Sequence, residues 1–343
     1  MNIGKLPENQ LKRSVLRQLK TKRDEIMQGA GAGTDCAFFN LPEDKGMLVC
    51  MQEAVVATPE YPAADAIPVP QLLQRAANNL AAGGGAPVGV VIGLMLPAGA
   101  PETVVKELMS RAESTCKELN CQIAGGQTAF SFRVSAPVMT VTGFGTPFEE
   151  GRPEGKVHAG QSVVMSKWAG LEGTALLAEF NREALLERYP AYLVDEATAF
   201  YRFRSVIPEA ATAVKSGVCM MHDVSEGGIF GALWELAERA GVGLNIDLKK
   251  IPLRQETVEV CELCNVNPYE LLSGGSLLMI TDNGPGLTER LREAGIPAAI
   301  VGEVTEGNAR IITNEDEVRY MDRPKQDGWY AFLETHMPQE GKK

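Results

Sequence analysis

Apolar residues in the first half of the chain cluster in runs of two kinds. Met47–Val56, Val88–Leu96, Val138–Gly143 and, more weakly, Cys121–Ala124 are strand-sized. Val69–Ala82 instead spaces its apolar residues as a helix does. So does Pro101–Leu119, which sets Val104, Val105, Leu108, Ala112 and Leu119 on one face behind an N-terminal proline. A stretch rich in Gly, Pro and Glu, Thr146–Gly160, then reads as a domain boundary. Beyond it the pattern predicts a strand at Ser162–Ser166 and a helical region from Thr174 to Phe203 interrupted by Pro190. Further helices are expected at Pro208–Lys215, Ile229–Ala240 and Gly286–Glu293, and strands at Gly217–Met221, Ser276–Ile280 and Ala298–Val301. From Arg323 on the chain reads as a polar tail. Strands and helices mixed in both halves give an α+β protein of two domains, 1–150 and 160–330, with 331–343 as the tail.

Composition narrows the function classes. With 33 Lys and Arg against 44 Asp and Glu, the net charge is −11. Such a chain lacks the cation excess that phosphate neutralisation along a nucleic acid requires. No apolar run is long enough to span a bilayer, and the N-terminus lacks a basic-then-apolar signal pattern, so a cytoplasmic protein is expected. The seven cysteines are scattered. Only Cys261 and Cys264 are close, and they lack the second pair or neighbouring His of a zinc site, which favours two small apolar residues on adjacent turns. Residues 1–23 carry seven cations against Glu8 alone, a local +6 that leaves −17 for the remainder. Leu11, Val15, Leu16 and Leu19 recur there at helical spacing. This arm reads either as an amphipathic helix with a solvated basic face or as a segment lying over an anionic ligand.

The strongest local signal is His222-Asp223-Val224-Ser225-Glu226-Gly227-Gly228, between an apolar strand and a helix. Asp223 at the strand's end could hold Mg²⁺, and the glycines and free N–H groups of the helix start could face an anion. The same residues also suit a tight turn in which Asp223 or Ser225 caps the helix. Glycine-rich turns are expected at Gly29–Asp35, Ala82–Pro87, Ala124–Thr128 and Ser273–Ser276. None fits the P-loop or dinucleotide pattern.

In order, Gly33-Thr34-Asp35, Tyr61–Asp65, Asn78-Asn79, Gly125-Gly126-Gln127-Thr128, Asp223–Gly228, Ser273-Gly274-Gly275 and Val301-Gly302-Glu303 resemble the PurM-like ATP-binding superfamily. That group is related to AIR synthetase and includes thiamine-monophosphate kinases, selenophosphate synthetases and the HypE hydrogenase-maturation branch, to which the Asp-Val-Ser-Glu-Gly-Gly turn is most similar. The resemblance implies two α+β domains, a homodimer formed through the N-terminal domains, and ATP with Mg²⁺ in a cleft fed by both domains. It places the nucleotide at Gly33, Asp35, Asn79, Gly125, Gly126, Gln127, Thr128, Asp223, Gly227 and Gly228, with Asp35 and Asp223 as metal ligands.

Departures from the family pattern bear on chemistry. Gln52, Asn79 and Gln127 stand where relatives have carboxylates, and Glu53 follows one place after Gln52. A one-residue slip turns a strand side chain to the other face, so Glu53 is expected to be a poor replacement. Lost carboxylates weaken Mg²⁺ binding, because amides bring no charge. The last cysteine is Cys264, so the terminal thiolate of the HypE branch is not expected. The resemblance implies ATP or similar nucleotide binding and phosphorylation of an amide-type substrate. A catalytically degenerate nucleotide- or anion-binding, maturation-accessory protein is the alternative, and a thiamine-monophosphate-kinase-like activity a weaker one. Expected partners are a second copy, a small anion or nucleotide, and a protein partner, with neither nucleic acid nor membrane.

Overall fold

The computed structural model describes residues 4–5, 12–28, 30, 38–39, 46–63, 65–153 and 155–336. The chain divides into two compact units, residues 1–81 with 85–149, and residues 82–84 with 150–343.

In the first unit β1 (Gly4–Lys5) belongs to the main sheet, while β2 (Ile26–Gln28) and β3 (Phe38–Phe39) form a small ribbon. With β4 (Leu48–Val55), β5 (Gly85–Pro97), β6 (Gln122–Ser131) and β7 (Val138–Pro147) the sheet runs β1-β6-β5-β7-β4. Only the β5–β6 pair is parallel. Helices α1 (Val69–Ala82) and α2 (Glu102–Glu118) cover one face. Strand parity decides what they bury: Val90, Ile92, Leu94 and Leu96 of β5 and Met139 and Val141 of β7 pack with Leu72, Leu73, Val104 and Leu108.

Two expectations fail here. Gly125–Thr128 is not a turn but the middle of β6, whose pairing with β5 continues from Gly89 and Gln122 to Pro97 and Ser131. Tertiary pairing overrides the local glycine signal. Nor is the described part of the basic arm one amphipathic helix. It is a short helical turn followed by a 3₁₀ turn at Leu16–Gln18, and it is stitched to α2. Ser14 Oγ and Arg13 Nε donate to Glu102 at 2.5 and 2.6 Å, and the Lys20 and Thr21 N–H groups donate to Glu113 at 2.6 and 2.5 Å. Arg13 and Ser14 hold the Glu102 carboxyl well below the usual carboxylate range.

The second unit is built on β8 (Ser162–Ser166), β9 (Met220–Val224), β10 (Gly243–Asp247), β11 (Ser276–Thr281), β12 (Ala298–Thr305), β13 (Arg310–Asn314) and β14 (Glu317–Tyr320). Their order is β14-β13-β10-β12-β8-β11-β9, and only β10–β13 is parallel. The helical region at 174–203 resolves into α3 (Leu171–Phe180), α4 (Arg182–Arg188) and α5 (Ala191–Thr198), with Pro190 capping the last. Then follow α6 (Ile207–Lys215), α7 (Gly228–Ala240), α8 (Gln255–Cys264), α9 (Gly284–Glu293) and α10 (Gly328–His336). Every residue of β11 is buried, and its Leu278 and Ile280 pack with Val163, Met165, Ile229, Leu233 and Leu236. The polar tail expected from 331 on begins instead within α10, which buries Trp329, Phe332 and Leu333. The edge of Phe180 packs on both the Trp329 and Phe332 rings, at 6.1 and 5.6 Å.

Candidate functional site

Gly33 and Asp35 lie outside the described residues. The other site residues of the first unit fall on two faces of one sheet. Asn79 is half-buried on α1, on the helix-covered side, while Asn78 is buried and accepts from Gln74 Nε2 at 2.9 Å. Gly126 and Gln127 are exposed on β6, and Thr128 is buried beside the core. Gly126 has to be glycine, because a Cβ there would lie 1.9 Å from the Ile92 carbonyl oxygen.

Register settles which carboxylate lies on Gln127's side of the sheet. Residues 53, 140, 93 and 127 form one row across the sheet, since Glu53 pairs with Thr140, Thr140 with Gly93 and Gly93 with Gln127. Cys50 and Ala54 pack on the helix-covered core, so Gln52 shares that covered side and Glu53 shares the open side with Gln127. Glu53 Oε2 accepts from Thr140 Oγ1 at 2.6 Å, pointing along the row. Gln52 and Glu53 thus lie on opposite sides of β4, as the one-residue slip predicts, and it is Glu53 that shares a side with Gln127.

In the second unit Asp223 is 5% exposed near the end of β9. Its neighbour His222 faces outward and meets Glu235 at 2.9 Å, a surface pair. Gly227 and Gly228 both take left-handed backbone, φ +80° and +63°, and a Cβ on Gly228 would strike the Tyr269 carbonyl oxygen at 2.6 Å. The helix start is not open to an anion in the way the sequence suggests. Gly227 N–H donates to Asp327 Oδ2 at 2.7 Å, Gly228 N–H to Ser225 O at 3.2 Å and Phe230 N–H to Tyr269 O at 3.1 Å. Asp327 also accepts from the Trp329 and Leu272 N–H groups, so a buried carboxylate supplies the anion that this nest prefers. Burial outweighs these bonds and pushes the Asp327 carboxyl up to about 6. The sequence reading missed this residue, although an Asp ahead of Trp329, Phe332 and Leu333 at helical spacing is a helix-start signal.

A cavity of about 240 Å³ opens beside this turn, lined among others by Gly227, Phe230, Arg319, Tyr320, Arg323 and Lys325. Glu270 and Asp322 are its carboxylates. Lys325 pairs with Asp322 at 2.8 Å, so the lining carries one more cation than anion in a chain of net charge −11. The Phe230 ring stacks on Tyr269 at 5.2 Å, with the Arg319 guanidinium 5.7 Å from its centre.

Of the two expected Mg²⁺ ligands, Asp35 lies outside the described residues and Asp223 is within them. No group of three His, Cys, Asp or Glu with metal-binding geometry occurs among the described residues, and Asp223 feels the ammonium of buried Lys167. Cys261 and Cys264 lie buried on α8, their thiols pushed up to about 12 and about 11 by burial, which makes them inert rather than redox-active.

Known proteins share this fold. The carbamoyl dehydratase HypE of Rhodobacter capsulatus is 25% identical over 277 residues, 78% of each chain. The structure of a HypE in complex with ATP superposes with a TM-score of 0.74 at 17% identity, covering 94% of this chain and 95% of that one. A chain of a HypE–HypF complex gives a TM-score of 0.66 at 19% identity over 83% of this chain and 92% of that one. The AIR synthase related N-terminal domain matches residues 33–146, and the C-terminal domain of the same family matches residues 158–313. Two consecutive domain matches, over units that each carry the expected sheet and helices, make this chain a member of the AIR synthase related, PurM-like proteins.

Proposed function

We propose that this protein binds ATP or a similar phosphate-bearing anion in the manner of its HypE relatives, and that it does so with little help from Mg²⁺. The observation that carries the reading is the cavity beside Gly227, where Arg319, Arg323 and Lys325 outnumber Glu270 and Asp322 next to an aromatic pair. Guanidinium groups make short, charge-assisted bonds to phosphate oxygens, and an aromatic face suits a planar base. The ATP-bound HypE lends support, as does the HypE–HypF complex for engagement of a protein partner. Phosphorylation of an amide-type substrate remains the second reading, favoured by Asp223 at the end of β9. In either case the chain acts as a homodimer.

Thermal-shift and calorimetric titration with ATP, ADP and inorganic phosphate tests the reading. The Arg319→Ala/Arg323→Ala double variant is expected to bind ATP at least about tenfold more weakly, since each lost charge-assisted bond counts for more than a neutral one. Its melting temperature should be unchanged, because both side chains are exposed. Equal ATP affinity in the variant would remove the cavity from the site.

A further inference from the structure

Lys167 is a buried non-glycine residue with left-handed backbone, φ +54°, directly after β8. Such a conformation is unfavourable for a residue with a Cβ and persists only where the surroundings enforce it. The surroundings are a closed set of oxygens. Lys167 Nζ donates to the carbonyls of Phe203 at 3.0 Å, Ser205 at 2.5 Å and Gly275 at 2.7 Å, and forms an ion pair with the Glu209 carboxylate. Glu209 is 1% exposed on α6. The three carbonyls come from two separate segments that touch, for a Cβ on Gly275 would meet the Phe203 oxygen at 2.4 Å.

Three carbonyl dipoles and a carboxylate aimed at one point repel each other unless a cation sits there. The donor count matches a full ammonium: three N–H groups for three carbonyls, with the carboxylate as counter-ion. Four oxygens around one positive centre also make the shell of a monovalent cation. Here the cation is carried by the chain. It lies under the Ser273–Gly275 turn and within electrostatic reach of Asp223.

We propose that Lys167 is a tethered cation, its ammonium permanently filling a four-oxygen monovalent-cation site formed by Phe203, Ser205, Gly275 and Glu209, so that this chain needs no exchangeable ion there. The site takes K⁺, ammonium or a short alkylammonium once the side chain is removed.

Lys167→Gly tests this, since glycine accepts φ +54° and opens the site. In choline chloride buffer its melting temperature should fall roughly 10 °C below wild type, as expected when a buried ion pair loses one partner. Adding n-butylammonium, the part of the side chain that was deleted, or K⁺ should recover at least half of the loss with saturation. Wild type and Lys167→Met, which fills the space without charge, should not respond. If Lys167→Gly does not fold in choline, refolding from urea with and without n-butylammonium gives the same readout, and recovery only with the ion supports the assignment. A Lys167→Gly protein as stable as wild type, or one that choline stabilises as well as n-butylammonium and K⁺, overturns it. So does equal failure to refold in every ion. None of these measurements uses a nucleotide, so the outcome is separate from that of the ATP-binding reading.

Discussion

Asp327 shows how one side chain can replace a ligand. It accepts three backbone N–H groups around the Gly227 turn, yet its folded pKa is raised to about 6 by burial, above the ordinary aspartate value. The folded form therefore binds a proton that the unfolded chain gives up at lower pH. Stability from this group is complete below the unfolded pKa and is lost as pH rises through about 6. From pH 7.5 to pH 5 the wild type should gain about 1.4 kcal/mol that Asp327→Asn does not, measured as the difference of two urea curves at each pH. A constant gap between the two proteins would show that the carboxylate is ionised throughout. Asp327→Ala, which leaves three N–H groups unpaired, should lose about 1–3 kcal/mol at every pH. Gln127 and Asn79 lie at the same scale. They are readable in the sequence as amides at carboxylate positions, but the sequence does not show that they lie on opposite sides of a sheet, because that depends on which neighbours cover each face.

Among the elements, β4 carries the plainest unmet requirement. Its open side presents Val49 and Met51 at 59% and 64% exposure, with Met95 of β5 at 39% on the same face. One covered and one apolar open face is an unstable arrangement in water unless a partner covers it. A second copy is the expected partner. Light scattering on Met51→Lys should report a monomer where the wild type gives a dimer at micromolar concentration. A dimer in both would place the interface elsewhere. The strands and helices of the first unit were largely legible, since Val69–Ala82 and the β4, β5 and β7 patterns follow local periodicity. The second half of β6 was not, because glycines read locally as a turn while nine β5 residues pair along it. Strands β10, β13 and β14 were missed for a different reason. They are short, and in β14 every residue is exposed, so no apolar alternation marks it.

At the level of the whole molecule, the cations lining the cavity beside Gly227 and the ammonium within electrostatic reach of Asp223 point the same way. ATP binding should change less than about threefold on adding EDTA, yet weaken when ionic strength rises, as screened guanidinium contacts do. Turnover should remain far below the roughly 10 s⁻¹ typical of enzymes. A tenfold or greater loss of affinity in EDTA, or hydrolysis near that rate abolished by Asp223→Ala, would refute this. The family and its two-domain architecture were recoverable from the order of short motifs, none of which suffices alone. The stitching of the basic arm to α2 was not, because Glu102 and Glu113 meet it from about 90 residues away. The clamp on Gly227 reaches further in time as well as in sequence. Its partner, Asp327, is 100 residues downstream. During synthesis at roughly 5–20 residues per second, the turn waits at least about 5–20 s for its carboxylate. A nascent chain stopped short of residue 327 should therefore hold a β9–α7 junction that proteases still cut, and the cut should disappear once α10 is complete.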